Sequence, residues 1–491
     1  MTRFILLAAA CAVLAGCSVG PRNAGAPNDQ LPSRFKNAFG FHRQTNESEG
    51  KTRAPAGPWW ENFHDRTLNA LEREAYENNQ DLRIGLARLA EARAQSRLAA
   101  ADFLPTVNLE PSAVRQRTSN TLPFQRGKLI GPNPFGAGTD SDLVINTQPL
   151  SRTYNLFRFP FDLNWEIDLF GRVRHEVEAA RANVEAGEAD LENFRLSVTA
   201  NVAADYFNLR ALDAEIAVLQ STLKTRRDAL EIAQERLQAG LTSELDVVRA
   251  QSDLAGNEAN VIAVQRTRGD MENALAGLLG RTASSFTLPV VADLSEPPAI
   301  PAGLPSQLLE RRPDVASAER QLAAANARIG VATADFLPRI RLTGAAGFES
   351  ADLGLLFQPQ SRIWQIGPSI SAPIFEGGRN AANLTAARAR YEEGLANYRK
   401  QVLVAFQEVE TALNDLRTLA AESAAQSRAV AAARRGLDLS LQQYEHGAVS
   451  YVEVLDAQRT LLAGQRASVQ LLGQRSQATV QLIKALGGDW H

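Results

Sequence analysis

Hydrophobic and polar positions change period several times along the chain, and each change predicts a different element. Over residues 68–102, Leu82, Leu86, Leu89 and Ala92 recur at helical spacing, and the pattern stops before Pro105. The period then drops to two. It is clearest over 154–169, where Phe157, Phe159, Phe161, Leu163, Trp165, Ile167 and Leu169 alternate with Arg158, Pro160, Asp162, Asn164, Glu166 and Asp168. One face of such a strand is aromatic and apolar, the other polar and charged. Weaker alternation at Val107, Leu109 and Ala113, at Ile340, Leu342 and Phe348, and at Trp364, Ile366, Ile370 and Ile374 completes a set of four strands, expected near 105–117, 154–169, 338–349 and 362–374. Strands of about ten residues suit a tilted crossing of a bilayer. Any one of them would equally suit a half-buried sheet in a soluble protein. Four strands cannot close a barrel, and lipid does not tolerate an open edge, so a membrane reading requires several chains to pool their strands.

After Gly171 the helical period returns and no proline occurs until Pro289. Leu209, Leu212, Ile216, Leu219, Leu223, Leu230 and Leu237 follow the spacing of a coiled-coil seam. A continuous helix over 172–239 would extend on the order of 100 Å at about 1.5 Å per residue. Residues 380–446 repeat the design with a thinner seam at Leu416, Leu419, Val430, Leu437 and Tyr444.

The chain repeats itself in letters as well as in period. Ala101-Asp102-Phe103-Leu104-Pro105 recurs as Ala334-Asp335-Phe336-Leu337-Pro338, an offset of 334 − 101 = 233. Further on, Gly240 answers Gly447 and Ala250-Gln251 answers Ala457-Gln458, an offset of 447 − 240 = 207. The difference lies in the strand-bearing segment, which therefore holds loops of variable length between scaffold elements of fixed length. The expected organisation is a signal over 1–16, an extended tether over 17–58, a first repeat over 59–288 with a turn near 240, a connector over 289–313, and a second repeat over 314–491 with a turn near 447.

Composition narrows the function. A net charge of −3 with 45% apolar residues gives no electrostatic footprint for nucleic acid. Arg3, an apolar run over 4–14 and Leu14-Ala15-Gly16-Cys17 resemble a bacterial lipoprotein signal, which would leave acylated Cys17 at the mature N-terminus. Ser18 follows, with no aspartate to retain the product at the inner membrane. Cys11 and Cys17 are the only cysteines, so the mature chain cannot form an intramolecular disulfide. The five histidines lack metal-ligand spacing, and no phosphate-loop, HExxH or GxSxG pattern occurs. Neither an enzyme nor a cofactor is expected beyond the lipid on Cys17.

The two turns between long helices hold the most informative polar residues. Gly240 and Gly447 suit left-handed helix caps, and Ser243 with Asp246, like Ser450 with Glu453, fits a capping box. Asp456 lies a turn further in, beyond capping range, opposite Arg249 of the first copy. That reversal of charge suits an Arg249–Asp456 contact, a ring of Asp456 side chains about a symmetry axis, or a solvated helix face.

Several strings resemble the outer-membrane factors of tripartite efflux systems, the TolC-like and OprM-like family. They are Trp59-Trp60-x-x-Phe63, Gly303-Leu304-Pro305-Ser306-x-Leu308-Leu309-x-Arg311-Arg312-Pro313-Asp314, Phe375-Glu376-Gly377-Gly378 and Val454-Leu455-Asp456-Ala457-Gln458. The resemblance implies a homotrimer in which each chain gives four strands to a twelve-stranded outer-membrane β-barrel, continued by a long α-helical periplasmic barrel with an equatorial domain. It implies a passive exit duct for small toxic compounds, joined by a periplasmic adaptor to an inner-membrane transporter, with RND-type pumps favoured over type I protein secretion. A lipid-anchored coiled-coil scaffold without a pore is the alternative from another class. Gly240, Leu241, Thr242, Gly447, Ala448 and Val449 match the family's adaptor-docking tip turns, and Glu453 and Asp456 its acidic constriction. Val449 stands where a tip arginine can lock the closed gate, which makes Arg249, beside Asp246, the substitute candidate. Phe157, Phe159, Phe161, Leu163, Trp165, Trp364 and Ile366 are the expected lipid-facing positions.

Overall fold

The computed structural model describes residue 20 and residues 35–38, 58–117, 153–292, 294–300 and 311–488. Cys17, most of the expected tether and residues 303–310 of the connector motif lie outside the described residues. The chain divides into two compact units, one built from 1–21, 96–178 and 327–387, the other from 22–95, 179–326 and 388–491.

The first unit is an antiparallel sheet with helix ends attached. Its strands are β1 (Thr106–Leu109), β2 (Ser112–Arg117), β3 (Thr153–Ile167), β4 (Arg339–Ser350) and β5 (Arg362–Ser371). β1 and β2 pair with β3 in a single register, Leu109 opposite Phe161 and Ser112 opposite Arg158. They are one expected strand interrupted at Glu110-Pro111, since proline cannot donate to the ladder. The order β1/β2–β3–β4–β5 is therefore a four-membered meander. β1 and β4 begin, and β3 and β5 end, at the side where helices join. Asp168 caps one of those helices by accepting from the backbone N–H groups of Val173 (3.1 Å) and Arg174 (2.9 Å). Trp165 Nε1 donates to the carbonyl of Phe103 (2.9 Å), and Asn380 Nδ2 to that of Asp335 (2.9 Å), so helix ends are tied to strand ends.

The helices are α1 (Arg66–Asn78), α2 (Gln80–Ala101), α3 (Arg172–Gln238), α4 (Glu244–Leu278), α5 (Pro313–Ala334), α6 (Arg379–Glu445) and α7 (Tyr451–Ala485). α2 and α5 each have 22 residues, α3 and α6 each 67, and α4 and α7 each 35. The single helix expected over 68–102 is two. Asn79 breaks it, its Oδ1 accepting from Asp81 N (2.8 Å) and Leu82 N (3.1 Å) as an N-cap while its Nδ2 donates to Leu278 O (2.8 Å). Leu82 and Leu89 are buried as expected, but Leu86 is 50% exposed.

The core of the second unit gathers Trp59, Trp60, Leu68, Leu71, Tyr206, Leu209, Leu275, Leu279, Leu413 and Ile483. Trp59 meets Trp60 and Phe63 edge-on, and Phe63 continues the stack onto Phe207 at 4.7 Å. Asp65 caps α1 and accepts from the Tyr206 hydroxyl (2.6 Å); burial, and then this bond, push Tyr206 up to about 12. Phe35, within the expected tether, packs against Phe406. Arg312 and Asp314, the described end of the connector motif, explain its composition. Arg312 is forked onto Asp314 (3.0 and 2.6 Å), reaches Glu408 (2.7 Å) and donates to the Ala485 carbonyl (2.9 Å). One buried guanidinium thus joins the start of α5, the middle of α6 and the end of α7.

Candidate functional site: the strand band and the helix-tip turns

Strand register sorts the sheet into two faces. Trp165, Leu342 and Pro368 lie in one row; Leu163, Gly344 and Ile366 in the next; Phe161, Ala346 and Trp364 in a third; Phe159 and Phe348 in a fourth. All fall on one face, with Val107 opposite Leu163 and Leu109 opposite Phe161. In the isolated chain this face is open: Trp364 is 79%, Ile366 64% and Ile370 70% exposed. From Phe157 to Ile167 the apolar run spans about 33 Å of strand at roughly 3.3 Å per residue, which at a tilt of about 40° is about 25 Å high, the height of a lipid-facing band. Phe357, from the β4–β5 loop, packs edge-on against Phe159 and Phe348, each at 5.5 Å, at the end away from the helices.

The opposite face is wettable and internally paired. Arg158 meets Glu349 (3.0 Å), and Glu166 meets Arg172 (2.8 Å) with Arg341 beyond (4.0 Å). An apolar face and a charged face on one sheet of this height can separate hydrocarbon from water.

In the other unit, the two long helices end alike. Leu241 N donates to Arg236 O (2.8 Å) and Gly240 N to Leu237 O (3.0 Å); in the second copy Ala448 N donates to Gln443 O (2.8 Å) and Gly447 N to Tyr444 O (3.0 Å). Each pair is a Schellman motif, which needs a left-handed residue, and Gly240 and Gly447 both have φ +69°. The capping boxes expected next do not form. Neither Ser243 nor Ser450 makes a side-chain cap bond; Thr242 Oγ1 instead donates to Asp246 Oδ2 (2.6 Å), a bond available because threonine stands one residue earlier.

Nor does an ion pair join Arg249 to Asp456 among the described residues. Arg249 lies 3.6 Å from Asp246, and Asp456 4.0 Å from Arg459, each within its own helix, because residues three apart are nearer than a neighbouring helix. Glu453 and Asp456 are exposed, as are Gly240, Gly447 and Ala448; Thr242 and Val449 are half-buried. Leu241 is 69% exposed and begins an open apolar stripe with Leu245 and Val248.

Sequence reasoning missed the contacts that join the two copies just behind these turns. Asp253 is held by Arg226 (3.0 Å) from α3 and by Arg459 (3.0 Å) from α7. Burial lowers the Arg226 pKa; Asp253 opposes the shift and the charge of Arg459 adds to it. The Arg236 guanidinium sits 4.5 Å over the Tyr444 ring, and Tyr444 lies 5.7 Å from Tyr451. A cue was present: Val247, Ala250, Asn257, Val261 and Val264 mark the buried seam of α4, and Asp253 is a charge beside it.

The family model described as outer membrane efflux protein matches residues 71–281 and 304–488. The cation efflux system protein CusC of Escherichia coli O6:H1 is 33% identical over 482 residues, 97% of each chain. The antibiotic efflux pump outer membrane protein ArpC of Pseudomonas putida is also 33% identical, over all of this chain and 96% of its own. The solved outer-membrane channel OprN superposes with a TM-score of 0.82 at 31% identity, covering 96% of this chain and 100% of that one. By these matches, the chain belongs to the outer membrane efflux protein family and is an outer-membrane efflux channel with a long periplasmic portion.

Proposed function

We propose that three copies close a twelve-stranded barrel and continue as a helical duct that passively conducts small toxic compounds delivered by an inner-membrane transporter through a periplasmic adaptor. One observation carries this reading: the sheet exposes an apolar band while, among the described residues, β1/β2 and β5 stand as unpaired edges. Lipid forbids such edges, and ring closure removes them. The matching lengths of α2 with α5, α3 with α6 and α4 with α7 support two structural repeats per chain. Acylated Cys17 adds a lipid anchor. Equal identity to a cation-system component and an antibiotic-pump component supports a duct whose cargo is chosen upstream.

The tip turns at Gly240, Leu241 and Thr242 and at Gly447, Ala448 and Val449 receive the adaptor, with the Leu241–Leu245–Val248 stripe as the apolar contact. Arg226, Asp253 and Arg459 clamp the two helix pairs of each chain at rest, and three copies of Glu453 and Asp456 line the constriction. Like charges facing one axis repel, so the clamp opposes a tendency to open. Purified protein should run as a heat-sensitive trimer in detergent and conduct in planar bilayers; a monomer without conductance would remove the duct. Asp253→Asn should raise resting conductance several-fold. Asp456→Ala should alter cation block, and unchanged conductance and block in both variants would take these residues out of the gate.

A further inference from the structure

The band-bearing face of the sheet carries no acidic residue among its described strand positions, and its only charged side chains are Arg115, Arg117 and Arg362. Register fixes their level. Arg115 lies opposite Asn155 and Arg117 opposite Thr153, directly beyond the last aromatic residue of that face, Phe157. Arg362 lies opposite Phe348, itself opposite Phe159. All three therefore stand at the end of the strands away from the helices, where the apolar band gives way to polar positions.

The contrast with the other face is chemical. There the charges neutralise one another, as in Arg158–Glu349 and Arg172–Glu166. Arg115, Arg117 and Arg362 are exposed and make no ion pair among the described residues. Charges left unpaired among the described residues can take a counter-ion from outside the chain. The periplasmic helices leave from the other end, so this level meets the outer leaflet.

We propose that these three arginines form a docking surface for a phosphorylated glycolipid of the outer leaflet. The planar guanidinium fork matches phosphate oxygens in a bidentate way, which a zwitterionic headgroup satisfies poorly. The Phe159, Phe348 and Phe357 cluster next to Arg362 offers the apolar floor on which acyl chains begin. The surface rests on the closed ring proposed above. In that ring β2 of one copy lies beside β5 of the next, so that Arg115 and Arg117 meet the neighbour's Arg362 and three such clusters circle the rim.

The test is retention of lipid A, with and without its phosphates, by purified trimers under native mass spectrometry. The phosphorylated form should be retained on the order of tenfold better, and the preference should weaken as salt rises. A triple Arg115→Gln, Arg117→Gln, Arg362→Gln variant should lose that preference while keeping the heat-sensitive trimer and its conductance; the triple lysine variant, which keeps the charge without the fork, should fall between the two. Equal retention of the two lipids by the wild type, or an undiminished preference in the glutamine variant, overturns the docking surface and leaves the duct standing. A wild type that neither trimerises nor conducts removes the ring, and with it the juxtaposition of arginines.

Discussion

The helix pair α3–α4 and its counterpart α6–α7 have identical lengths and identical turn geometry, yet their interiors differ in chemistry. In the first pair Asp213, 0% exposed, accepts from Arg210 (2.9 Å) and Arg268 (2.6 Å), and those guanidinium groups donate to the carbonyls of Pro289 (2.8 Å) and Leu288 (2.6 Å). Glu272 accepts from Leu288 N (2.5 Å), so the connector is fastened to this pair. At the matching positions of the second pair stand Ala420, Arg417, Arg475 and Thr479. Arg417 is exposed and, among the described residues, bonds along its own helix to Asn414, and Arg475 pairs with Glu296, which is 75% exposed. Backbone length and caps were duplicated; the Asp213 anchor belongs to the first copy, while the second is fastened elsewhere, through Arg312.

Removing the anchor should have the largest effect. Asp213→Ala leaves two buried guanidinium groups without their carboxylate, a loss of about 3–5 kcal/mol, whereas Glu296→Ala, which removes a carboxylate that is 75% exposed, should cost no more than about 1 kcal/mol. Urea unfolding of the solubilised protein compares them, and equal losses would erase the distinction between the pairs. Gly240→Ala and Gly447→Ala come next. Both impose a left-handed conformation on a residue with a Cβ, at about 1–2 kcal/mol each. Because both glycines have φ +69°, the two losses should agree; a large disparity would show that the turns are not backbone equivalents.

The smallest effect separates core from connector by pH. Glu72 is completely buried on α1, its carboxylate oxygens lack partners among the described residues, and burial raises its pKa well above the ordinary value. The folded chain holds a proton there that the unfolded chain releases above the ordinary carboxylate range. Stability should therefore be fullest below that range and fall as pH rises through it toward the folded value. Glu72→Gln should flatten this slope in a melting-temperature series from pH 4 to 8; an unchanged slope would assign the pH dependence elsewhere.

Much of this design is legible in the letters. The offsets of 233 and 207 mark the matched helices, and the alternation from Phe157 to Ile167 marks the band, because period and proline placement act locally. The ionic anchors were not legible. Asp213 and Asp253 become interior through the arrival of Arg268 and Arg459 from other helices, which spacing along one helix does not announce. Asn79 escaped notice for a similar reason: its cap forms inside an unbroken hydrophobic period. The capping boxes failed in the opposite sense, since Ser243 and Asp246 have the right spacing but Thr242 competes for the carboxylate.

Ring closure is tested most directly by cysteine cross-linking between β1 at Val107 and β5 at Trp364, Ile366 or Pro368. These strands lie at opposite edges of one sheet, about 14 Å apart at roughly 4.8 Å per strand, too far for a disulfide within a chain. A closed ring of three predicts that one of the pairs yields dimers and trimers on oxidation and nothing larger. Monomers alone with every pair, or a ladder extending past the trimer, would contradict it.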